Sequence, residues 1–348
     1  METLPLPGVP DDGGLLDVEV SGVCGADVEL FRGSVPDFAA CVLGHEVVGR
    51  IRALGPAAAA RWDVEPGDRV VVNEVLSCGR CELCVEGRGE LCNGFFGSAG
   101  SRYGFLPVTE GSGLWGGFAS VMELHPRTQM VPIADHVPTE VAAQFMPVSN
   151  GVHWLFELSG LRPADSVLVI GPGPQGLAVT AVAALAGLRA IVVGRSADTG
   201  RLGLAVQVGA ARTVDAETED VVAAVKAETR GRGVDAVVIA TSGATDTMAT
   251  ATRCVRVGGT VVVAGTNGWR SEERFKPDAL VFRDITVRGA PGHSVASVAR
   301  AVRLLESGWE RFVPLTGPAL SIEDAVTALD GTADTSGDVG GVHASVHP

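Results

Sequence analysis

Val167-Leu168-Val169-Ile170-Gly171-Pro172-Gly173-Pro174-Gln175-Gly176 is the stretch on which the fold turns. Its first four residues form an unbroken aliphatic run, the pattern of a strand buried on both faces. A glycine loop follows, and then the alanine-rich segment Leu177–Ala186, which predicts a helix. The loop is a G-x-G-x-x-G with a strand before it, a helix after it and a second strand, Ala190–Val193, beyond: the setting in which this motif binds a dinucleotide. Gly171 permits the tight turn, Gly173 lets backbone approach a pyrophosphate, and Gly176 lets helix and strand pack closely. Pro174 and Gln175 open the helix, whose unpaired N–H groups and positive end attract an anion.

The end of the second strand discriminates between cofactors. NAD sites place a carboxylate there for the ribose 2′-hydroxyl. This chain has Gly194-Arg195-Ser196 instead, with Arg201 further on. Absence of the acid and presence of Arg195 favour NADP, Arg201 being a second partner for a 2′-phosphate; NAD is the alternative.

Outward from the loop, strands and helices alternate. Helices are expected at Arg201–Val208, Val221–Thr229 and Ser294–Leu305, strands at Ala236–Ile239, Thr260–Ala264 and Ile285–Arg288. Such alternation implies βαβ units and a parallel sheet covered on both faces. Before about Thr139 the chain is different, rich in glycine and proline with short strand-like runs at Leu15–Val20, Glu46–Ile51 and Arg69–Val72. The tail from Val313 is expected to return to this β-rich first part.

Composition bounds the partners. The 348 residues suffice for two domains. With 27 Lys and Arg against 41 Asp and Glu, the net charge is −14, which disfavours nucleic acid and anionic membranes. Residues 1–14 carry no basic region or apolar core of a signal peptide, and the uncharged stretch Ser166–Leu188 is broken by glycine and proline, so a cytoplasmic protein is expected.

Seven cysteines, an odd number, do not suggest a disulfide framework. Four of them, Cys78, Cys81, Cys84 and Cys92, crowd into one loop at spacings that suit a tetrahedral structural zinc. A less complete set is Cys24, in Gly22-Val23-Cys24-Gly25-Ala26-Asp27, with His45 and Glu46, in Gly44-His45-Glu46-Val47-Val48-Gly49. Thiolate, imidazole and carboxylate can form a three-ligand zinc site with one open position.

Together these segments resemble the zinc-containing medium-chain alcohol dehydrogenases. Gly44-His45-Glu46-x-x-Gly49-x5-Gly55 is similar to that family's zinc signature, the four-cysteine lobe follows at the family's distance, and Gly116-Gly117-Phe118-Ala119 resembles its strand entry before the cofactor domain. The resemblance runs from about Leu15 to the C-terminus. It implies an α/β protein with a GroES-like β-rich catalytic domain at 1–148 and a structural zinc lobe at 74–97. A Rossmann domain, a doubly wound parallel sheet binding NAD(P), follows at 149–291, and 292–348 return to the catalytic domain. It further implies Cys24 and His45 as catalytic zinc ligands, Glu46 as an alternate or supporting ligand, Asp27 orienting His45, and a homodimer or homotetramer acting on a small molecule.

The chain departs from the family in four places. Met146 stands where a third ligand, Cys, Asp or Glu, is usual, and a thioether binds zinc poorly. Ala26 replaces the usual relay hydroxyl. Glu29 replaces the relay histidine and is the candidate base; the alternative is a proton that leaves through water or the substrate's own group. The first β-hairpin is short or missing. The expected reaction is zinc-assisted hydride transfer between an alcohol and NAD(P); the alternative is an NADPH-dependent reductase of an activated C=C or C=N bond that does without catalytic zinc. Trp115, Phe95, Phe96 and Trp154 are candidate pocket aromatics, with core packing as the plainer role.

Overall fold

The computed structural model describes residues 3–34, 38–92, 102–242, 246–265, 272–273, 275–331 and 341–348. Phe95, Phe96 and the end of the cysteine lobe lie outside them.

The aliphatic runs become strands of two sheets. In the second half, β6 (Ser166–Ile170), β7 (Arg189–Gly194), β8 (Arg212–Asp215), β9 (Val234–Ile239), β10 (Val255–Val263) and β11 (Thr286–Gly289) pair in parallel in the order β11-β10-β9-β6-β7-β8. Counted from β6, this is the doubly wound order 3-2-1-4-5-6, and the glycine loop leaves β6 at the point where the order reverses. Val167 and Val169 pack into one apolar cluster with Leu177 and Ala181, whereas Leu168 and Ile170 pack into another with Val225 and Ala251. Alternate residues of one strand thus face different helices, which is why β6 reads as a continuous apolar run.

The first half supplies β1 (Gly14–Gly22), β2 (Glu46–Leu54), β3 (Arg69–Asn73), β4 (Val121–Leu124) and β5 (Gln129–Pro132). These form a seven-stranded sheet with β12 (Thr316–Ser321) and β13 (His343–His347), in the order β12-β13-β1-β2-β3-β5, with β4 also on β1. The tail therefore does return: Ser21 and Gly22 of β1 pair with Val346 and Ser345 of β13. Short helices at Gly25–Phe31 and Pro56–Trp62 are absent from the sequence reading, because seven residues span only two turns and show little periodicity.

Helix Phe145–Val152 joins the halves. It is buried along most of its length, and the largest core cluster runs through it from Val20, Val48 and Val71 to Val167 and Val298. Met146 is inside this cluster, and Trp154 and Trp115 are likewise core residues.

Candidate active site

The glycine loop has the geometry its residues require. Gly171 holds φ at +106°, in the left-handed region open to glycine. A Cβ on Gly176 would lie 1.9 Å from the Gly171 carbonyl oxygen, so no other residue fits there. A Cβ on Gly173 would meet nothing within 4 Å, leaving open space before helix Pro174–Leu185. Gln175 does not point idly from the loop: its Nε2 donates to the Pro147 carbonyl (2.9 Å) and its Oε1 accepts from Asn150 (2.8 Å).

At the end of β7, a Cβ on Gly194 would press on Pro172 of the loop, so the two turns are in contact. Arg195 is 62% exposed in its side chain, with Asp198 3.7 Å away. Ser196 is less accommodating to an anion than its sequence suggests. Its Oγ donates to Asp215 (2.6 Å) and its N–H to Glu217 (3.1 Å). Arg201 is half-buried on helix Thr199–Gln207.

The four lobe cysteines come together: their sulfurs all lie within 4.8 Å of one another, with Cys78–Cys84 at 4.0 Å and Cys81–Cys92 at 3.9 Å. A zinc tetrahedron with ~2.3 Å bonds has edges of ~3.8 Å, close to these two distances, so the donor set suits the metal. The Arg80 and Cys81 amides lower the Cys78 thiol to about 6, and burial pushes Cys92 up to about 12. A bound cation would offset that second effect.

Cys24, His45 and Glu46 also converge, with their ligand atoms within 4.8 Å of one another. Asp27, fully buried, organises this group. Its Oδ2 accepts the Cys24 N–H (3.0 Å), and its Oδ1 accepts the Gly44 N–H (3.1 Å) and faces His45 Nδ1 (3.2 Å). Holding Nδ1 leaves Nε2 for a metal, the usual work of a carboxylate behind a ligand histidine. Against burial, which lowers it, the charge and hydrogen bond of Asp27 raise the His45 pKa well above its ordinary value. Glu46 is buried as well, and its Oε2 lies 2.6 Å from His343 Nε2. The sequence reading missed His343: it lies 297 residues from Glu46 and no local pattern marks it.

Glu29, the candidate base, is placed differently from Asp27. The inner side of helix Gly25–Phe31 carries Asp27 and Val28, and Glu29, about 100° further round, is exposed. It is not part of the buried cluster.

The chain matches two family descriptions: Alcohol dehydrogenase GroES-like domain over residues 10–135, and Zinc-binding dehydrogenase over residues 174–307. It is 38% identical over 348 residues to a Mycobacterium tuberculosis (strain H37Rv) protein named "Probable alcohol dehydrogenase", covering 99% of this chain and 94% of that one. The chain belongs to the zinc-containing medium-chain dehydrogenase family. Within that family it is 32% identical to sorbitol dehydrogenase of Bacillus subtilis, over 76% of this chain and 71% of that one. A crystal structure of a zinc-binding dehydrogenase from Sinorhizobium meliloti 1021 bound to NADP superposes with a TM-score of 0.84 at 29% identity, covering 100% and 94% of the two chains. The medium-chain dehydrogenase architecture, a GroES-like part with a Rossmann part, is thus shown by sequence and structure alike. Among the described residues no helix is long and apolar enough to cross a membrane.

Proposed function

We propose that the chain is a zinc-dependent oxidoreductase that moves hydride between a primary or secondary alcohol, or its aldehyde or ketone, and NAD(P). The observation that carries this reading is the convergence of half-buried Cys24 with buried His45 and Glu46, braced by Asp27, in a chain that also carries an intact glycine loop. Zinc held there would act as a Lewis acid on the alcohol or carbonyl oxygen. The protein's own part is positional: Asp27 sets the His45 ring, and His343 sets one oxygen of Glu46. Glu46 replaces the ligand that Met146 cannot supply. With Ala26 lacking a hydroxyl and Glu29 exposed, the proton is proposed to leave through solvent. The C=C or C=N reductase gains no support from the site, because that chemistry has no need of the braced cluster.

The finer assignments belong to the same reading. NADP is preferred over NAD through Arg195, with Asp215 and Glu217 limiting the preference. The division into 1–148, 149–291 and 292–348 is supported by the segregation of strands into two sheets. A homodimer or larger homo-oligomer is supported by the edge strand β11, exposed along its length, beside Val281 and Phe282, which are 78% and 83% exposed. The protein is proposed to be cytoplasmic.

A metal count tests the central proposal. Wild type should carry two zinc ions per chain, Glu46→Ala one, and Glu46→Ala should lose NAD(P)-linked alcohol oxidation. One zinc per wild-type chain with turnover intact would overturn it.

A further inference from the structure

A run of hydrogen bonds crosses the molecule beside the proposed reaction centre. It starts at the Pro147 carbonyl, next to Met146, and passes through Gln175 of the glycine loop to Asn150. The amides fix its direction: Gln175 uses its N–H on Pro147 and its oxygen on Asn150 Nδ2, which leaves Asn150 Oδ1 pointing onward. That oxygen meets His293 Nδ1 at 3.0 Å. The opposite ring nitrogen, Nε2, lies 3.3 Å from Asn73 Oδ1 and 3.4 Å from Glu74 Oε2.

Both ends of this run touch functional ground. Gln175 belongs to the dinucleotide loop. Asn73 ends β3, which pairs antiparallel with β2 through Val72 and Val47. Continuing that register by one and two residues sets Asn73 beside Glu46 and Glu74 beside His45. The groups are committed to one another: His293 and Asn73 are 2% exposed, Glu74 is 6% exposed, and Arg102 pairs with the other oxygen of Glu74 (2.6 Å). Glu74 Oε2 is itself a buried atom with no hydrogen-bond partner beyond the approach of His293. His293 is held from behind, because Ser294 caps helix Val295–Gly308 by accepting the Ser297 N–H and also donates to Glu157 (2.8 Å).

We propose that His293 is a positioning residue that steadies the cofactor loop through Asn150 and Gln175. Asn150 Oδ1, Asn73 Oδ1 and Glu74 Oε2 are all acceptors, and burial lowers the His293 pKa, so the neutral ring gives its one N–H to Asn150 through Nδ1. Breaking one link releases Gln175 and thereby loosens the loop on which the dinucleotide sits. This rests on the reading of the glycine loop as an NAD(P) site.

The test is calorimetric titration of NADPH and NADH into the full-length protein, independent of turnover. His293→Ala should weaken the preferred dinucleotide about tenfold, as should Gln175→Ala. The double variant should lose no more than either alone, since both cut the same run. His293→Asn, which keeps a donor for Asn150, should recover most of the loss, a rescue that a merely space-filling residue would not allow. If His293→Ala fails to fold, Asn150→Leu cuts the run from the other side and should show the same loss. Affinities within twofold of wild type in these variants, or a double variant whose loss is the product of the singles, would overturn the proposal. Wild-type protein that binds neither dinucleotide would instead overturn the reading of the loop itself.

Discussion

His343 Nε2 lies 2.6 Å from Glu46 Oε2, two buried side chains brought together from opposite ends of the chain. The contact depends on a third residue: a Cβ on Gly22 would fall 2.2 Å from Glu46 Oε2 and 2.5 Å from His343 Cε1. His343→Ala is expected to cost ~1.5–3 kcal/mol, the worth of a hydrogen bond to a charged group, and to lower the zinc content of the Cys24 site. Gly22→Ala should act on the same pair by overpacking, at ~1–3 kcal/mol. Chemical denaturation and metal analysis check both. Wild-type stability and zinc content in both variants would refute the role of the pair.

The cysteine lobe makes a sharper metal prediction. Cys81→Ser removes one corner of a site whose four sulfurs lie within 4.8 Å of one another. It should lose one zinc per chain and lower Tm, while the metal at Cys24, His45 and Glu46 is retained. Metal analysis with differential scanning calorimetry decides; an unchanged zinc count in Cys81→Ser would defeat the assignment.

Cofactor choice is contested at the end of β7. Arg195 supplies one positive charge, whereas Glu217 occupies the Ser196 N–H and Asp215 its hydroxyl. Arg195→Ala should weaken NADP about tenfold or more and NAD little, because the lost contact is charge-assisted. Glu217→Gln should do the reverse and strengthen NADP. Dissociation constants for both dinucleotides measure this; equal effects on NAD and NADP would contradict it.

Acid stability should depend on Glu157. Against the cost of burial, hydrogen bonds from His153, Ser294 and Ser297 pull its carboxyl down to about 2. A folded pKa below the ordinary value of ~4.3 means that the carboxylate stabilises the fold above that value, and that the gain is lost as pH falls from ~5 towards ~2. Glu157→Gln should therefore be less stable than wild type at pH 7, with the gap narrowing as the pH falls to 3. Tm measured across this range tests it; a gap that widens in acid would count against it.

The glycine loop and the four-cysteine lobe were legible because their chemistry is local. Gly171, Gly173 and Gly176 act within six residues, and Cys78 to Cys92 within fifteen, so spacing alone carries the geometry. The central strands β6, β7 and β9 were legible for a similar reason, since burial on both faces leaves an unbroken aliphatic run, whereas the edge strand β8 carries no such run and is absent from the sequence reading. Cys24, His45 and Glu46 were joined only by family resemblance, because strand pairing of β1 with β2, not sequence distance, sets them together.

What only the tertiary structure decided lies in long-range polar pairs and in the faces of short helices. His343 reaches Glu46, and His293 reaches both Asn73 and Asn150, across separations of 297, 220 and 143 residues. A lone histidine has no periodicity to betray its partner, since a hydrogen bond depends on position in space and leaves no repeat in the chain. Glu29 shows the same point in reverse: the resemblance offered it as a base, and the turn of a seven-residue helix exposed it. The sequence by itself determined the strand–loop–helix proposed to seat a dinucleotide and the four-cysteine loop proposed to seat a metal. Packing of the two sheets around helix Phe145–Val152 decided which buried side chains brace them.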